Sequence, residues 1–267
     1  MNTLVQIQTK PPNDPEQIAT ERREFLRKCL MASPFLVGIV RVAAQQTGGN
    51  GNGVYHPEDH YYGMGVDVSK CIGCGRCADA CKTENDVPRD PYYFRTWIER
   101  YVITTEGEVS VSSPNGGIEG FPATVSEKGI LRTFFVPKLC NHCASPPCVQ
   151  VCPVGATFLS RDGVVLVDKD YCIGCRYCIQ ACPYGARFLH PVTHTAEKCT
   201  FCYHRVRNGK VPACVEVCPT GARIFGDVRS MASPLTRFRR FNEIQVLKAH
   251  LNTEPKVYYA NLDGEVS

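Results

Sequence analysis

A mostly apolar run spans Cys29 to Ala44 (CLMASPFLVGIVRVAA). Its sixteen residues include Pro34 and Arg41, so it is too short and too interrupted for a comfortable transmembrane helix. Residues 45–54 (QQTGGNGNGV) then lose apolar patterning and read as a flexible linker. That puts the start of globular structure near Tyr61, with residues 45–60 as the connection. Two strand-like stretches follow, Tyr93–Thr105 and Ile130–Val136, separated by a turn region rich in Gly, Pro and Ser. Near the end, Ser233-Pro234 predicts a helix start and a helix from about Leu235 to His250. Lys256–Tyr259 reads as a further strand.

The apolar run follows Glu-Arg-Arg-Glu-Phe-Leu-Arg-Lys at residues 21–28. A twin arginine, Phe-Leu, a basic residue and a short apolar stretch together resemble a twin-arginine translocation signal over residues 1–44. Val42-Ala43-Ala44 offers small residues for cleavage, which leaves Gln45 as the first mature residue. An ordinary amphipathic N-terminal helix is the competing reading.

An apolar fraction of 43% is ordinary for a globular protein. The net charge of +4 is mild, and no basic stretch is interleaved with aromatics, so nucleic-acid binding is not supported. Cysteine changes the picture. Of 17 cysteines, all but Cys29 fall into four groups of four. The groups are Cys71, Cys74, Cys77 and Cys81; Cys140, Cys143, Cys148 and Cys152; Cys172, Cys175, Cys178 and Cys182; and Cys199, Cys202, Cys214 and Cys218. A disulfide scaffold is the alternative use, but such scaffolds are typically short secreted chains. Neighbours this close are better placed to converge on one metal centre than to pair off. Cys29 stands apart and receives no metal.

The first and third groups share the spacing C-x2-C-x2-C-x3-C, and Pro183 follows the third. Three cysteines spaced by two residues wrap a loop around one face of a cubane, whose sulfurs accept the loop's amides. Gly73 and Gly174 let that loop turn tightly. The fourth cysteine is expected to start or lie on a short helix that carries it to the other cluster of a pair. Pro153, Pro183 and Pro219 follow three of these fourth cysteines, and Lys82 stands in their place in the first group. There is also an internal repeat. Val66-Asp67 through Cys74 recurs as Val167-Asp168 through Cys175, and Cys-Pro-x-Gly-Ala starts at Cys152, Cys182 and Cys218. Cysteine units joined by short strands and helices describe a duplicated bacterial-ferredoxin fold. Taken alone, the second and fourth groups would also suit zinc; the first and third, with three cysteines in seven residues, favour clusters.

From about Met64 to Asp227 the chain resembles the four-cluster iron–sulfur subunit of DMSO reductase-type molybdoenzyme complexes, including polysulfide, tetrathionate and formate-linked members. The resemblance rests on the four groups in order, the YHRVRNGKVPA insertion in the fourth, and Cys218-Pro-Thr-Gly-Ala-Arg-Ile-Phe-Gly-Asp227. It implies an α+β fold of two dicluster ferredoxin-like modules over residues 61–227, with a β-rich insertion and a C-terminal tail, 228–267. It also implies four [4Fe–4S] clusters. Cluster 1 takes Cys71, Cys74, Cys77 and Cys218; cluster 2 takes Cys199, Cys202, Cys214 and Cys81. Cluster 3 takes Cys140, Cys143, Cys148 and Cys182; cluster 4 takes Cys172, Cys175, Cys178 and Cys152.

The role implied is a wire between a catalytic molybdopterin subunit, or a multihaem cytochrome, and a membrane subunit that exchanges electrons with quinone. No small-molecule substrate of its own is expected. Leu235 to Ser267 is polar and charged, so membrane attachment is expected through a partner, on the periplasmic side after export in the folded state. A freestanding soluble polyferredoxin is the alternative. No catalytic constellation and no Gly-rich nucleotide loop is present, since Gly48–Gly53 lacks a flanking strand and helix. Trp97 is expected to pack. His142, His190, His194 and His204 are expected at the surface or beside the clusters, where hydrogen bonds tune potential. Lys198, Arg205, Arg207 and Lys210 read as a solvated basic face, or as charges that tune a cluster or dock an acidic partner.

Overall fold

Large and minimal side chains alternate along Tyr62-Gly63-Met64-Gly65-Val66, a period of two that suits a strand with unlike faces. In the computed structural model, which describes residues 55–123 and 129–266, this segment is β1 (Tyr62–Asp67). The twin-arginine segment and Cys29 lie outside the described residues. The chain continues through α1 (Arg76–Glu84), β2 (Thr96–Thr104), β3 (Val109–Ser112) and β4 (Ile130–Leu139). Two helix–hairpin units follow: α2 (Pro147–Gln150) with β5 (Thr157–Leu159) and β6 (Val165–Val167), then α3 (Tyr177–Gln180) with β7 (Arg187–Leu189) and β8 (Ala196–Lys198). Next come α4 (Tyr203–Val206), α5 (Ala213–Glu216) and β9 (Arg223–Asp227). The last elements are α6 (Pro234–Phe241), β10 (Ile244–Gln245) and β11 (Val257–Ala260). The architecture is mixed α and β, as expected.

Helix packing pairs the elements that carry cysteines. Helix α1 packs on α5, and α2 packs on α3, so the first group meets the fourth and the second meets the third. One sheet runs β10-β11-β1-β9, with β1 parallel to β11 and antiparallel to β9. Every residue of β1 is buried, because both faces are covered. Met64 and Val66 enter the core with Phe201, Phe225 and Tyr259. On the other face α6 lies close. A Cβ on Gly65 would sit 2.6 Å from the Phe238 ring, and one on Gly63 would sit 3.1 Å from Leu235.

The segment expected as a C-terminal tail, 228–267, supplies two strands to this sheet and a helix against it, and residues 51–267 form one unit. The helix expected from Leu235 to His250 is shorter. It begins as anticipated, with the Ser233 hydroxyl accepting the Leu235 N–H at 3.3 Å. It stops at Phe241 because Asn242 is extended (φ −131°, ψ 151°) and its side-chain amide donates to the Phe238 carbonyl at 2.8 Å. Ile244 then pairs with Ala260.

The region between the first two cysteine groups is a three-stranded antiparallel sheet, β3-β2-β4. Strand β3 falls in the region expected as turn, and β4 runs on to Leu139, directly before Cys140. The Tyr259 hydroxyl donates to the Pro137 carbonyl at 3.1 Å, which ties this sheet to the first. The described residues include six before Tyr61, beginning with Tyr55, whose ring stacks on His60 at 5.4 Å.

Leu235 is fully buried while Phe241 on the same helix is 76% exposed. Leu235→Ala is expected to destabilise by about 3 kcal/mol, and Phe241→Ala by less than about 0.5 kcal/mol. Anaerobic thermal melts of the two variants check the contrast.

Candidate metal centre

The turn after the first cysteine of each group has one shape. The residue two positions on is left-handed in all four: Gly73 and Gly174 at φ +69°, His142 at φ +43° and Phe201 at φ +53°. Glycine is required sterically in two of them. A Cβ at Gly73 would lie 2.5 Å from the Phe135 ring, and one at Gly174 would lie 2.4 Å from the His194 carbonyl oxygen. In the other two the amide of the left-handed residue donates to the first cysteine. His142 N–H reaches Cys140 Sγ at 3.5 Å, and Phe201 N–H reaches Cys199 Sγ at 3.4 Å. The rings of His142 and Phe201 stack on each other with centroids 3.7 Å apart.

His142 is thus not at the surface but fully buried; its Nδ1 accepts the Val165 N–H at 3.1 Å. His190 accepts the amides of Val192 and Thr193, His194 is exposed, and His204 pairs with Glu84 at 2.7 Å.

The third cysteine of every group is the second residue of a helix: Cys77, Cys148, Cys178 and Cys214. The fourth cysteine was expected on or at the start of a helix. Only Cys81 is on one, because α1 runs on to Glu84. Cys152, Cys182 and Cys218 each lie two residues past a helix end. The proline that follows each of these three disfavours helical backbone at the cysteine. Lys82 imposes no such limit; it is buried and donates to the carbonyls of Pro88 and Asp90 at 3.0 and 2.8 Å.

Two cavities are lined by four cysteines each. One is walled by Cys71, Cys74, Cys77 and Cys218 together with Ile98, Pro137 and Arg223. The other is walled by Cys140, Cys143, Cys148 and Cys182 together with Val165 and Arg187. A third set also converges. Burial pushes the Cys81 thiol well up, and the charges of Cys199, Cys214 and Cys202 add to it. The Asn85 amide spans Cys81 Sγ and Cys202 Sγ at 3.6 and 3.5 Å. In the fourth set, Cys178 packs with Val165, Ala196 and Cys172. The Ala196 N–H donates to Cys172 Sγ at 3.3 Å. Helix α2, which ends two residues before Cys152, packs on α3, which carries Cys178. Cys175 is exposed.

All sixteen described cysteines are free thiols, which removes the disulfide reading for them. Among the described residues, no three His, Cys, Asp or Glu side chains are set to hold a single metal ion. The sulfurs surround a volume, as a polynuclear cluster requires and a lone zinc does not. Burial, reinforced by neighbouring sulfurs, pushes Cys71 up to about 11 and Cys143, Cys199 and Cys214 up to about 12. Such thiols ionise readily only when a cation sits among them. Cys152 and Cys218 are exceptions. Burial works to raise them, but the amide donors of Thr157 and its neighbours, and of Arg223 and Thr220, outweigh it and favour the thiolates. Among the described residues, Arg187 Nε and Arg223 Nη1 are buried without a partner at the cavity walls, donors that an anionic cluster would satisfy. The residues fit iron–sulfur clusters.

Other expected features fall differently. Lys198 is no part of a solvated face: it is 1% exposed and donates to the carbonyls of Val165 and Cys199. Arg205 is held by Glu84 and Glu216, Arg207 lies over the rings of Tyr55 and Tyr203, and Lys210 is exposed. Trp97 is partly buried and donates to Glu99 at 2.8 Å. Arg187 and Arg223 were not anticipated as site residues. The signal for them was present, since each stands five residues past a fourth cysteine in a Cys-Pro-x-Gly-Ala-Arg repeat.

Residues 70–156 and 131–228 each match a 4Fe-4S dicluster domain family. The chain is 43% identical to a tetrathionate reductase subunit of Salmonella typhimurium over 206 residues, 76% of this chain and 74% of that protein. It is 41% identical to protein NrfC of Escherichia coli, over 77% of this chain and 83% of NrfC. With a polysulfide reductase chain of Wolinella succinogenes the identity is 36%, over 74% of this chain and 92% of that one.

Gly174→Ala forces a Cβ against the His194 carbonyl in a left-handed backbone. It is expected to cost the protein one cubane, about four of about sixteen irons. Gly155→Ala, in an equally left-handed backbone (φ +67°) but with nothing within 4 Å of the new Cβ, is expected to retain them. Anaerobic iron assay of the two variants distinguishes a steric demand on the third group from general glycine sensitivity.

Proposed function

This protein belongs to the family of iron–sulfur electron-transfer subunits of reductase complexes, with two 4Fe-4S dicluster domains, and on that premise we propose that it is a four-cluster wire within such a complex. In this reading Cys71, Cys74, Cys77 and Cys218 hold cluster 1, and Cys199, Cys202, Cys214 and Cys81 hold cluster 2. Cys140, Cys143, Cys148 and Cys182 hold cluster 3, and Cys172, Cys175, Cys178 and Cys152 hold cluster 4. The observation that carries it is the convergence of four cysteines from two different groups on each of the two lined cavities.

Each [4Fe–4S] cluster, when bound, takes up and gives back one electron. The protein's own residues fix where the electron can go. Cys214 lies near Cys77, and Cys199 lies near both Cys214 and Cys140, which orders the sites 1, 2, 3, 4. The two ends of that order come to the surface. Cys74 in site 1 and Cys175 in site 4 are exposed, while Cys143 and Cys202 in the inner sites are buried. Exposed Ile72 and Ile173 stand beside the two outer sites. Electrons enter at one end and leave at the other, between a membrane quinone-reactive subunit and a catalytic subunit, molybdopterin-type or multihaem cytochrome. Catalysis belongs to the partner. Two of the relatives are named as one subunit or one chain of a reductase, which supports a multi-subunit assembly. No described helix is long and apolar enough to cross a membrane, and attachment is assigned to the partner.

Purification under argon from detergent-solubilised membranes is expected to give about sixteen irons per chain. A large redox protein and a polytopic membrane protein are expected to accompany it. Zinc in place of iron would overturn the cluster reading. A chain recovered alone from the soluble fraction would make it a diffusible polyferredoxin.

Export by the twin-arginine route to the periplasmic side of the membrane is the remaining part of the proposal, motivated by Arg22-Arg23 and the apolar run after them. The double variant Arg22→Lys/Arg23→Lys is expected to leave iron-loaded protein in the cytoplasm. Undiminished periplasmic protein in cell fractionation would sink it.

A further inference from the structure

The Cys-Pro-x-Gly-Ala repeats are followed by Thr157, Arg187 and Arg223. Both arginines are buried, at 5% and 3% exposure, and among the described residues neither guanidinium is paired with a carboxylate. Arg187 donates to Cys148 Sγ at 3.0 Å and to the Thr157 hydroxyl at 3.3 Å. The Thr157 amide in turn donates to Cys152 Sγ at 3.4 Å. One guanidinium thus touches a ligand of site 3 directly and a ligand of site 4 through one residue. Burial opposes the Arg187 charge, yet the sulfurs of Cys148, Cys140, Cys178 and Cys182 outweigh it.

Arg223 does the equivalent work in the other pair. Its side chain walls the cavity of site 1, and its charge favours the thiolate of Cys214 in site 2 as well as that of Cys71 and Cys77 in site 1. Its guanidinium is anchored on the Thr96 hydroxyl at 2.7 Å. Among the described residues each arginine keeps one buried N–H without a partner, Nε of Arg187 and Nη1 of Arg223.

We propose that Arg187 and Arg223 are potential-setting residues, each a fixed positive charge shared by the two clusters of one pair. The inference rests on the ligand sets proposed above. Arginine stays protonated in proteins, so the charge does not depend on pH. Reduction adds negative charge to a cluster, and a cation beside its ligands, with little water to screen it, favours the reduced form. Because one charge serves two clusters, it also offsets the repulsion that an electron on one cluster exerts on the next. Lys198, buried between Cys199 of site 2 and Cys140 and Cys148 of site 3, holds the corresponding place between the pairs.

The test is an EPR-monitored redox titration of the complex holding the full chain, with Arg187→Gln, Arg187→Lys and Arg223→Gln beside the parent. Arg187→Gln is expected to lower two of the four midpoints and leave two unmoved. Arg223→Gln lowers the complementary two, and Arg187→Lys keeps its pair near the parent values. Full iron with all four midpoints unmoved in the glutamine variants would overturn the proposal. So would a lysine variant that falls as far as the glutamine one, which removes charge as the cause. Loss of iron from a glutamine variant would make that arginine a strut and refute its assigned role. A parent protein short of about sixteen irons would instead fail the ligand reading, a separate outcome.

Discussion

Gathering four thiolates into one apolar pocket is unfavourable unless positive charge stands among them, and the proposed ligand sets do so four times in one body. Burial holds thiols such as Cys199 and Cys214 far from ready ionisation, and the neighbouring sulfurs add to the effect. Ligation by iron reverses that balance, so cluster binding and folding are linked. The protein assists with amides and cations. Backbone N–H groups converge on Cys152 and Cys218, the Arg187 guanidinium donates to Cys148, and the Arg223 charge favours the Cys214 thiolate. These are donors that stabilise the thiolate state without competing for the metal.

The rest of the fold follows from the need to keep water away from the inner sites while leaving the outer ones near the surface. Ile98 of β2 and Pro137 of β4 wall the first cavity, so the extra sheet acts as its lid. Strand β11 joins β1, and Tyr259, fully buried, bonds to Pro137 across to that lid. Lys256, just before β11, places its ammonium on the Gly163 carbonyl next to the second pair. Burial lowers its pKa to about 8 even though the charges of Cys143, Cys140 and Asp162 favour the cation. The C-terminal segment thereby touches both halves of the cluster array.

Much of the site was legible in the sequence because ligand spacing is a local property. The cysteine groups, Gly73, Gly174 and the proline after three of the four late cysteines all express constraints within a dozen residues of chain. Strands β2 and β4 were visible for the same reason, and the start of α6 was marked by Ser233-Pro234. What escaped were consequences of distant contacts. The end of α6 is decided by pairing between Ile244 and Ala260, which no local pattern encodes. Lys198 looks like one of several basic residues until the body folds around it. His142 reads as polar, yet its environment is set by Phe201, 59 positions away.

That stack explains why two of the four left-handed positions are not glycine. At Gly73 and Gly174 a neighbour fills the space of a Cβ, whereas at His142 and Phe201 the side chains are themselves the filling. Holding Phe201 and His142 at positive φ costs on the order of 1–3 kcal/mol each. Two offsetting terms are present: ring burial, about 1.5–3 kcal/mol for a Phe side chain, and the amide bonds to Cys140 and Cys199. The strained turns therefore lock the second and fourth groups against each other. In the proposed ligand sets, site 2 and site 3 cannot separate without unstacking the rings, and the gap between the two pairs is then set by packing rather than by a flexible joint.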